Sequence, residues 1–538
     1  MVIIRAYAWW LAWGLTSEGQ RSTLKASRQL VIRWIPAIVA VIAAGIAAYP
    51  LTLPSMLAGV HGYGNGQGYD DGVYLGSALR LLHGSLPYRD YTFVHPPGIA
   101  LLLSPVAALG RLIGSRDALV IARLVTVLVA GVNAGLVAWA VRHRGWVASV
   151  SAGLLLAGFP SAYAADHTVL LEPWLVLFCL LAFVTAFANG QVTESRRRLL
   201  LAGVFAGFAG AVKVWAILPV VALVVVVVIV RRRRSVPLLG GVSLGFLVPC
   251  LPFFLAAPHA FVQEVLVAQL ARSTSGARLD ATSRLGVLSG LKHFGEPASS
   301  LPVVALAIAA AVTVTLAMVL GRRRLKAAEV ATAAAAGLIV LGLFVPVQLY
   351  DHYAYFSAPF LALLVGTGAG LAANRLRRLQ ASWARWAPAF VVLVVVLVVG
   401  FSLPQGIGRA RSYFSEANDP AAAVRQLVPA GSCVITDDPS LLIDADRFSS
   451  ARSSCPKVDD PFGMWLTDAD GSLPHVGGAF PDAFVEKWSG WLGQSDYVVL
   501  SIPGSSYLPF SPGLFEQFGY QFAQVGASDH VYVYKRIR

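Results

Sequence analysis

Residues 216–230 read AILPVVALVVVVVIV and give way at once to four arginines, Arg231–Arg234. A branched apolar run ended so abruptly by charge suits a helix that crosses a bilayer and surfaces among headgroups. A second run, APAFVVLVVVLVVGFSL at 387–403, reaches the roughly 17–25 residues that a crossing needs. Hydrophobic residues make up 57% of the 538-residue chain and charged residues 13%, about half the ~25% usual in soluble domains. The early stretch AYAWWLAWGL is short and leads into a polar segment rather than a cleavage site, so no signal peptide is expected.

The formal net charge of +14 would also fit a nucleic-acid binder, but its placement argues against nucleic acid as a partner. Of the 42 basic residues, 22 fall between apolar stretches: in segment 1–33, at Arg142 and Arg144, and in Arg196–Arg198, Arg231–Arg234, Arg322–Lys326 and Arg375–Arg385. Only three acids, Glu18, Glu194 and Glu329, accompany them. Basic loops stay cytoplasmic, and with these clusters as markers the chain threads consistently. Eleven spans are expected, at about 34–57, 118–141, 146–163, 169–189, 199–213, 215–230, 236–257, 302–320, 328–347, 354–373 and 387–403. The cytoplasmic segment 1–33 precedes them, and outer loops occupy 58–117 and 258–301. Within the first loop, GIALLLSPVAALGRLIG is too short to span and reads as a helix at the interface.

Residues 404–538 differ in kind. Ten basic and fifteen acidic residues accompany strand-like runs such as CVIT, YVVLS and HVYVYKR, with turn signals between them. The expectation is an all-α polytopic membrane protein, N-terminus cytoplasmic, carrying a small extracytoplasmic α/β domain over 404–538. Cys433 and Cys455 in that domain are candidates for a disulfide if the compartment is oxidising; Cys179 and Cys250 lie in spans and read as apolar filler. No metal-ligand spacing, phosphate loop or dinucleotide fingerprint is present.

The ionisable residues outside these regions gather at the outer ends of the spans. The first loop brings Asp70, Asp71, Arg80, Arg89, Asp90 and His95, and the turn in AADHTVLLEPW brings Asp166, His167 and Glu172. Lys213 lies between two spans, and Asp351, His352 and Tyr353 open another. Charges at membrane depth are costly and normally face a polar cavity or one another, so four segments placing acids, bases and aromatics at one depth imply an outward-facing site. Carboxylates beside cations suit a reaction in which a hydroxyl loses its proton to a general base while a phosphate departs, its charge held by lysine, arginine or a metal ion. A lipid-borne phosphate would explain why the site sits in a membrane.

The stretches YDDGVYLGSALRLLHG, PYRDY and HPPG resemble the first outer loop of the GT-C glycosyltransferases, especially the protein-mannosyltransferase and aminoarabinose-transferase-like branch. ADHTVLLEPWLVLF resembles that family's second acidic motif, GFAGAVKVWAILP its lysine-bearing hairpin, and DHYAYFSAPFLALL its histidine-tyrosine motif, in the family's order over about residues 34–375. The resemblance implies an inverting transfer of a sugar from a polyprenyl-phosphate donor to an acceptor at the outer face. Mannose and arabinofuranose are the first expectations for the sugar, and the acceptor is a glycan, a glycolipid or a protein. Carried over by position, Asp70 matches the proposed general base, Asp71 the second acid of the pair, Glu172 the second-loop acid and His95 the motif histidine. Glu172 stands where many relatives have aspartate. Arg80, Arg89 and Lys213 are candidates for the donor phosphate; His167, Asp351, His352 and Tyr353 are candidates for the site walls. A divalent metal is an open option, since the family includes metal-dependent and metal-independent members.

Each assignment has a plainer counterpart. Asp70 and Asp71 could cap a helix, Asp166 and His167 could form a solvated hairpin tip, and Lys213 could snorkel. Tyr69, Tyr88 and Tyr91 could be interfacial aromatics rather than sugar contacts. Arg272, Arg278 and Arg284 could guide an anionic donor or sit in a solvated loop. The competing functional class is a transporter or flippase of a lipid-linked glycan; it would place charge at mid-membrane near broken helices, whereas here the charge gathers at span ends.

Overall fold

Where no water reaches the backbone, a crossing segment must satisfy its own N–H and C=O groups, and a helix does so. The computed structural model describes residues 34–52, 67–160, 165–271, 279–289, 325–347, 349–379, 382–414, 419–468, 480–501, 508, 510–528 and 531–537. Its bundle comprises α1 (Trp34–Ala48), α4 (Ser115–Val141), α5 (Trp146–Ala157), α6 (Leu171–Ala186), α7 (Arg196–Val212), α8 (Ile217–Arg231), α9 (Ser235–Ala256), α11 (Ala327–Gly342), α12 (Ala354–Leu376) and α13 (Ala387–Phe414). Among the described residues four continuous helical runs are long and apolar enough to cross a membrane, Ser115–Arg144, Val214–Ala256, Asp351–Leu376 and Ser382–Pro404. Val214–Ala256 holds both α8 and α9, joined at the arginine turn Arg232–Arg234. The span expected at 302–320 lies outside the described residues. Exposed side chains such as Ile229, Val248, Leu255, Phe390 and Phe401 are large and apolar, as lipid-facing surfaces require. The chain is a membrane protein.

Small residues set the closest packing. A Cβ on Gly203, Gly207, Gly241 or Gly245 would lie 2.1 Å from a carbonyl oxygen of the opposing helix, so α7 and α9 touch backbone to backbone along matched Gly-x-x-x-Gly stripes.

The basic turns meet at one end of the bundle. Arg144 pairs with Glu329 at the start of α11, and Lys326 donates to the Asn189 carbonyl in the hairpin formed by β1 (Phe187–Ala188) and β2 (Gln191–Val192). Arg231 reaches Glu194 at 3.0 Å. At about 1.5 Å per residue, the 23 residues of α12 separate this end from the opposite one by about 34 Å.

The described part of the loop expected over 58–117, residues 67–117, is mostly helical. Its second helix, α3 (Gly98–Ile113), is the one anticipated; α2 (Gln67–Leu82) was not, and it carries Asp70 and Asp71 in its first two turns. The loop expected over 258–301 is helical at 258–271, with a π-helical turn at Gln263–Val267, and again at α10 (Ala281–Leu288). Arg284 is buried and donates to the carbonyls of Leu279, Leu343 and Val347. It fastens α10 to the chain beyond α11 and is neither solvated nor free to guide a donor. Arg272 and Arg278 lie outside the described residues.

Helix α13 continues to Phe414, past residue 403 where the last span was expected to stop. Beyond it stands a four-stranded sheet in the order β3 (Val434–Thr436), β4 (Tyr497–Leu500), β6 (Val531–Arg536), β5 (Phe522–Ser528). The β3–β4 pair is parallel and the others antiparallel. Trp465, Phe484 and Trp488 fill its core with Ile435 and Val498. A disulfide joins Cys433 to Cys455.

Helix α2 lies between the bundle and this outer unit. A Cβ on Gly72 would come within 2.2 Å of the Ser440 nitrogen, and one on Gly76 within 2.5 Å of an Asp459 carboxylate oxygen, so this face of α2 rests directly on the outer unit. The Tyr69 hydroxyl donates to Asp460 at 2.7 Å, and Arg80 donates to Asp459 at 3.3 Å and to the Val458 carbonyl at 2.9 Å. Asp446 accepts from the main-chain nitrogens of Ser115 and Arg116 at the start of α4.

Candidate active site

Successive residues on a helix point about 100° apart, so the two acids of α2 take different surroundings. Asp71 is fully buried and turns into the bundle, where Arg123 of α4, equally buried, binds one oxygen through Nε at 2.9 Å and Nη2 at 2.7 Å. Its other oxygen accepts from the Val169 main-chain nitrogen. Asp70, one residue earlier, is half-buried. Asp71 is thus a buried strut, whereas Asp70 stays partly exposed.

Val169 belongs to the turn before α6, and three residues later Glu172 occupies that helix's first turn. There a carboxylate meets the unsatisfied N–H groups and positive end of the helix. Lys213 ends α7, where a cation complements the negative end. The chain breaks at Lys213 before a short helical turn leads into α8, and this break aims the side chain inward. Its Nζ donates to Glu172 Oε1 at 2.6 Å, both residues being buried. The ammonium also lies 4.5 Å from the Trp215 ring and 4.6 Å from the Tyr353 ring, a cation held between a carboxylate and two aromatic faces. His352 lies beside Tyr353 with ring centroids 4.7 Å apart and acts electrostatically on Glu172. Asp351, next to His352, is half-buried.

Asp166 and His167 do not form a solvated tip: both are buried, because the turn between α5 and α6 folds under α2. Tyr355 hydrogen-bonds to Asp166, and burial pushes that carboxyl up to about 8. Asn133 of α4 donates to Tyr355 Oη at 3.2 Å and to the Pro173 carbonyl at 2.8 Å, which continues the network to the start of α6.

His95 is buried with its Nε2 3.4 Å from Tyr74 Oη, on a loop held by Tyr88, whose hydroxyl donates to the His95 carbonyl at 2.6 Å. Tyr88 has φ 69°, a conformation rare for a bulky side chain; its ring is packed by Phe253 and Phe261. Tyr69, Tyr88 and Tyr91 are all buried with their hydroxyls bound to protein partners, Tyr91 to Ser77, which leaves them scaffolding roles rather than an interfacial belt.

Two candidate cations stand apart from this cluster. Arg80 turns toward the outer unit, and Arg89 is exposed and paired with Asp90 at 2.8 Å. Sequence reasoning missed Arg123, Asn133, Tyr355 and Glu264. Arg123 and Asn133 carry the usual signal, a polar residue within an apolar helix. Glu264, which accepts from the Phe93 nitrogen at 2.7 Å, lay in a segment read as loop. Among the described residues no three His, Cys, Asp or Glu side chains gather as metal ligands.

Residues 93–346 match the profile of Glycosyltransferase family 87. The structure resembles that of ArnT from Cupriavidus metallidurans bound to undecaprenyl phosphate, with TM-score 0.57 and 16% identity over 93% of this chain and 97% of that one. It also resembles the archaeal oligosaccharyltransferase AglB from Archaeoglobus fulgidus in complex with an inhibitory peptide and a dolichol-phosphate, with TM-score 0.54 and 13% identity over 87% of this chain and 69% of that one. No curated protein matches the sequence.

Proposed function

We propose that this chain is a GT-C-type glycosyltransferase that moves a sugar from a polyprenyl-phosphate donor to an acceptor hydroxyl at the outer membrane face, with inversion. The observation that carries the reading is the shared site: half-buried Asp70 adjoins Asp71 on α2, Asp71 is tied to the turn that leads into Glu172, and Glu172 pairs with Lys213. The bundle's basic end lies opposite, which under the positive-inside rule makes the Asp70 end external and the N-terminus cytoplasmic. ArnT and AglB hold undecaprenyl phosphate and dolichol-phosphate, ligands of the donor class proposed here.

In this reading the acceptor hydroxyl gives its proton to Asp70 as its oxygen bonds to the anomeric carbon, and the bond from that carbon to the donor phosphate breaks. The departing phosphate gains charge, which Lys213 and His352 meet in a site walled from water by Trp215 and Tyr353. Glu172 holds the lysine in place before the donor arrives. The resemblance favours a mannosyl or arabinofuranosyl donor and a glycan, glycolipid or protein acceptor.

Replacing Asp70 with Asn tests the assignment. Transfer from a labelled polyprenyl-phosphate sugar is expected to fall by about 10²-fold or more, the usual worth of a general base, with the thermal unfolding midpoint kept. Near-normal transfer by Asp70→Asn would remove Asp70 from that role.

A further inference from the structure

At the end of α2 away from Asp70, the helix and the loop 447–457 of the outer unit enclose a cavity of about 230 Å³. Arg80, Arg447, Arg452 and Lys457 line it together with five serines and His83, and among the described residues no aspartate or glutamate does. The cations are incompletely neutralised. Among the described residues Arg447 donates to main-chain carbonyls, those of Arg425, Val428, Ala445 and Asp446, and Lys457 has no carboxylate within ion-pair distance. Arg452 reaches Asp496 at 3.1 Å at the half-exposed rim. Arg80 lies over the Phe448 ring at 4.4 Å with Asp459 beneath it, and burial pushes the Asp459 carboxyl up to about 8, which weakens that compensation near neutral pH.

Guanidinium forks, an ammonium and hydroxyls around one hollow match a ligand with several charged acceptor oxygens. The cavity falls just under the roughly 300–1,000 Å³ of drug-sized pockets, with space for more than a bare phosphate. The Cys433–Cys455 disulfide ties the end of the loop to the start of β3, and Cys455 itself lines the wall, so the cavity's shape is set before anything binds.

We propose that this cavity is an oxyanion-binding site that takes a phosphoryl group carried on a polyol-sized body, about 15 Å along α2 from Asp70. Its occupant bridges Arg80 of α2 to Arg447 and Lys457 of the outer unit. The same chemistry is offered by an anionic phospholipid headgroup and by a soluble phosphorylated polyol.

The full chain in phosphatidylcholine nanodiscs, titrated by calorimetry with glycerol 3-phosphate, glycerol and inorganic phosphate, tests this. Glycerol 3-phosphate is expected to bind and glycerol not. The double variant Arg452→Ala, Lys457→Ala, checked for an intact disulfide by mass spectrometry, is expected to bind at least about tenfold more weakly, as loss of a charge-assisted contact implies. The charge-keeping Lys457→Arg should stay close to the parent. Absence of binding, or equal binding by the parent and the double variant, overturns the site; inorganic phosphate binding as tightly as glycerol 3-phosphate overturns the attached body. Discs containing phosphatidylglycerol separate the sources: a headgroup occupant abolishes binding of the soluble probe, and a soluble occupant leaves it intact.

Discussion

Asp70 and Asp71 are chemically identical neighbours in different surroundings, and the difference lies in a partner about fifty positions away. Arg123 takes Asp71 out of circulation, so removing one member of that pair strands the other in an apolar interior. Asp71→Asn is expected to lower stability by about 3–5 kcal/mol, read as a fall in the unfolding midpoint in nanodiscs. The double replacement Asp71→Leu, Arg123→Met should recover most of the loss, since well-packed apolar residues often substitute for a buried pair; a double variant as unstable as the single would refute the strut. This distinction was not legible in the sequence, where both acids stand in the same motif. Glu172 and Lys213 were legible, because isolated charges flanked by long apolar runs have few places to go. Their direct pairing at 2.6 Å was not, because it depends on how α6 and α7 terminate.

The sequence resolved most of the apolar helices to within a few residues and the strand-like runs of the outer unit, since lipid and alternation both leave strong patterns. It did not reveal α2. The stretch GYDDGVYLGSALRLL has two glycines and two acids at its start, residues that argue against a helix by propensity; tertiary contact overrides them, because Gly72 and Gly76 are where the outer unit's backbone and side chains come closest. Gly76→Val is therefore expected to push α2 away from Asp459 and Phe448 and to reduce transfer, with Glu172 and Lys213 untouched. Between α7 and α9 the equivalent test is Gly207→Leu, whose side chain would overlap the Val242 carbonyl; a lower unfolding midpoint is expected, and an unchanged one would show that the two helices can part without cost.

For the whole molecule, the outer unit brings buried acids to the face of α2. Burial pushes Asp459 up to about 8, and Asp438 and Asp444 up to about 6. An ordinary aspartate in the unfolded chain ionises near pH 4, so between about pH 4 and 8 the unfolded state releases protons that the folded state keeps. Stability then falls as pH rises, most steeply between about 4 and 6, and more gently up to about 8 through Asp459 and the equally raised Asp166. Asp459→Asn should flatten the upper part of the profile, followed by the fluorescence of Trp465 and Trp488 across a pH series; a profile with the parent's slope between pH 6 and 8 would contradict the assignment.

Because α2 has the membrane bundle on one side and the outer sheet on the other, the acid-bearing helix has no independent seat. A chain cut after Phe414 would retain every bundle helix described here, yet its Gly72 and Gly76 flank would open to water and Arg80 would lose its anchor. Truncation would not isolate a smaller working unit; it would dismantle the shelf on which the acid stands.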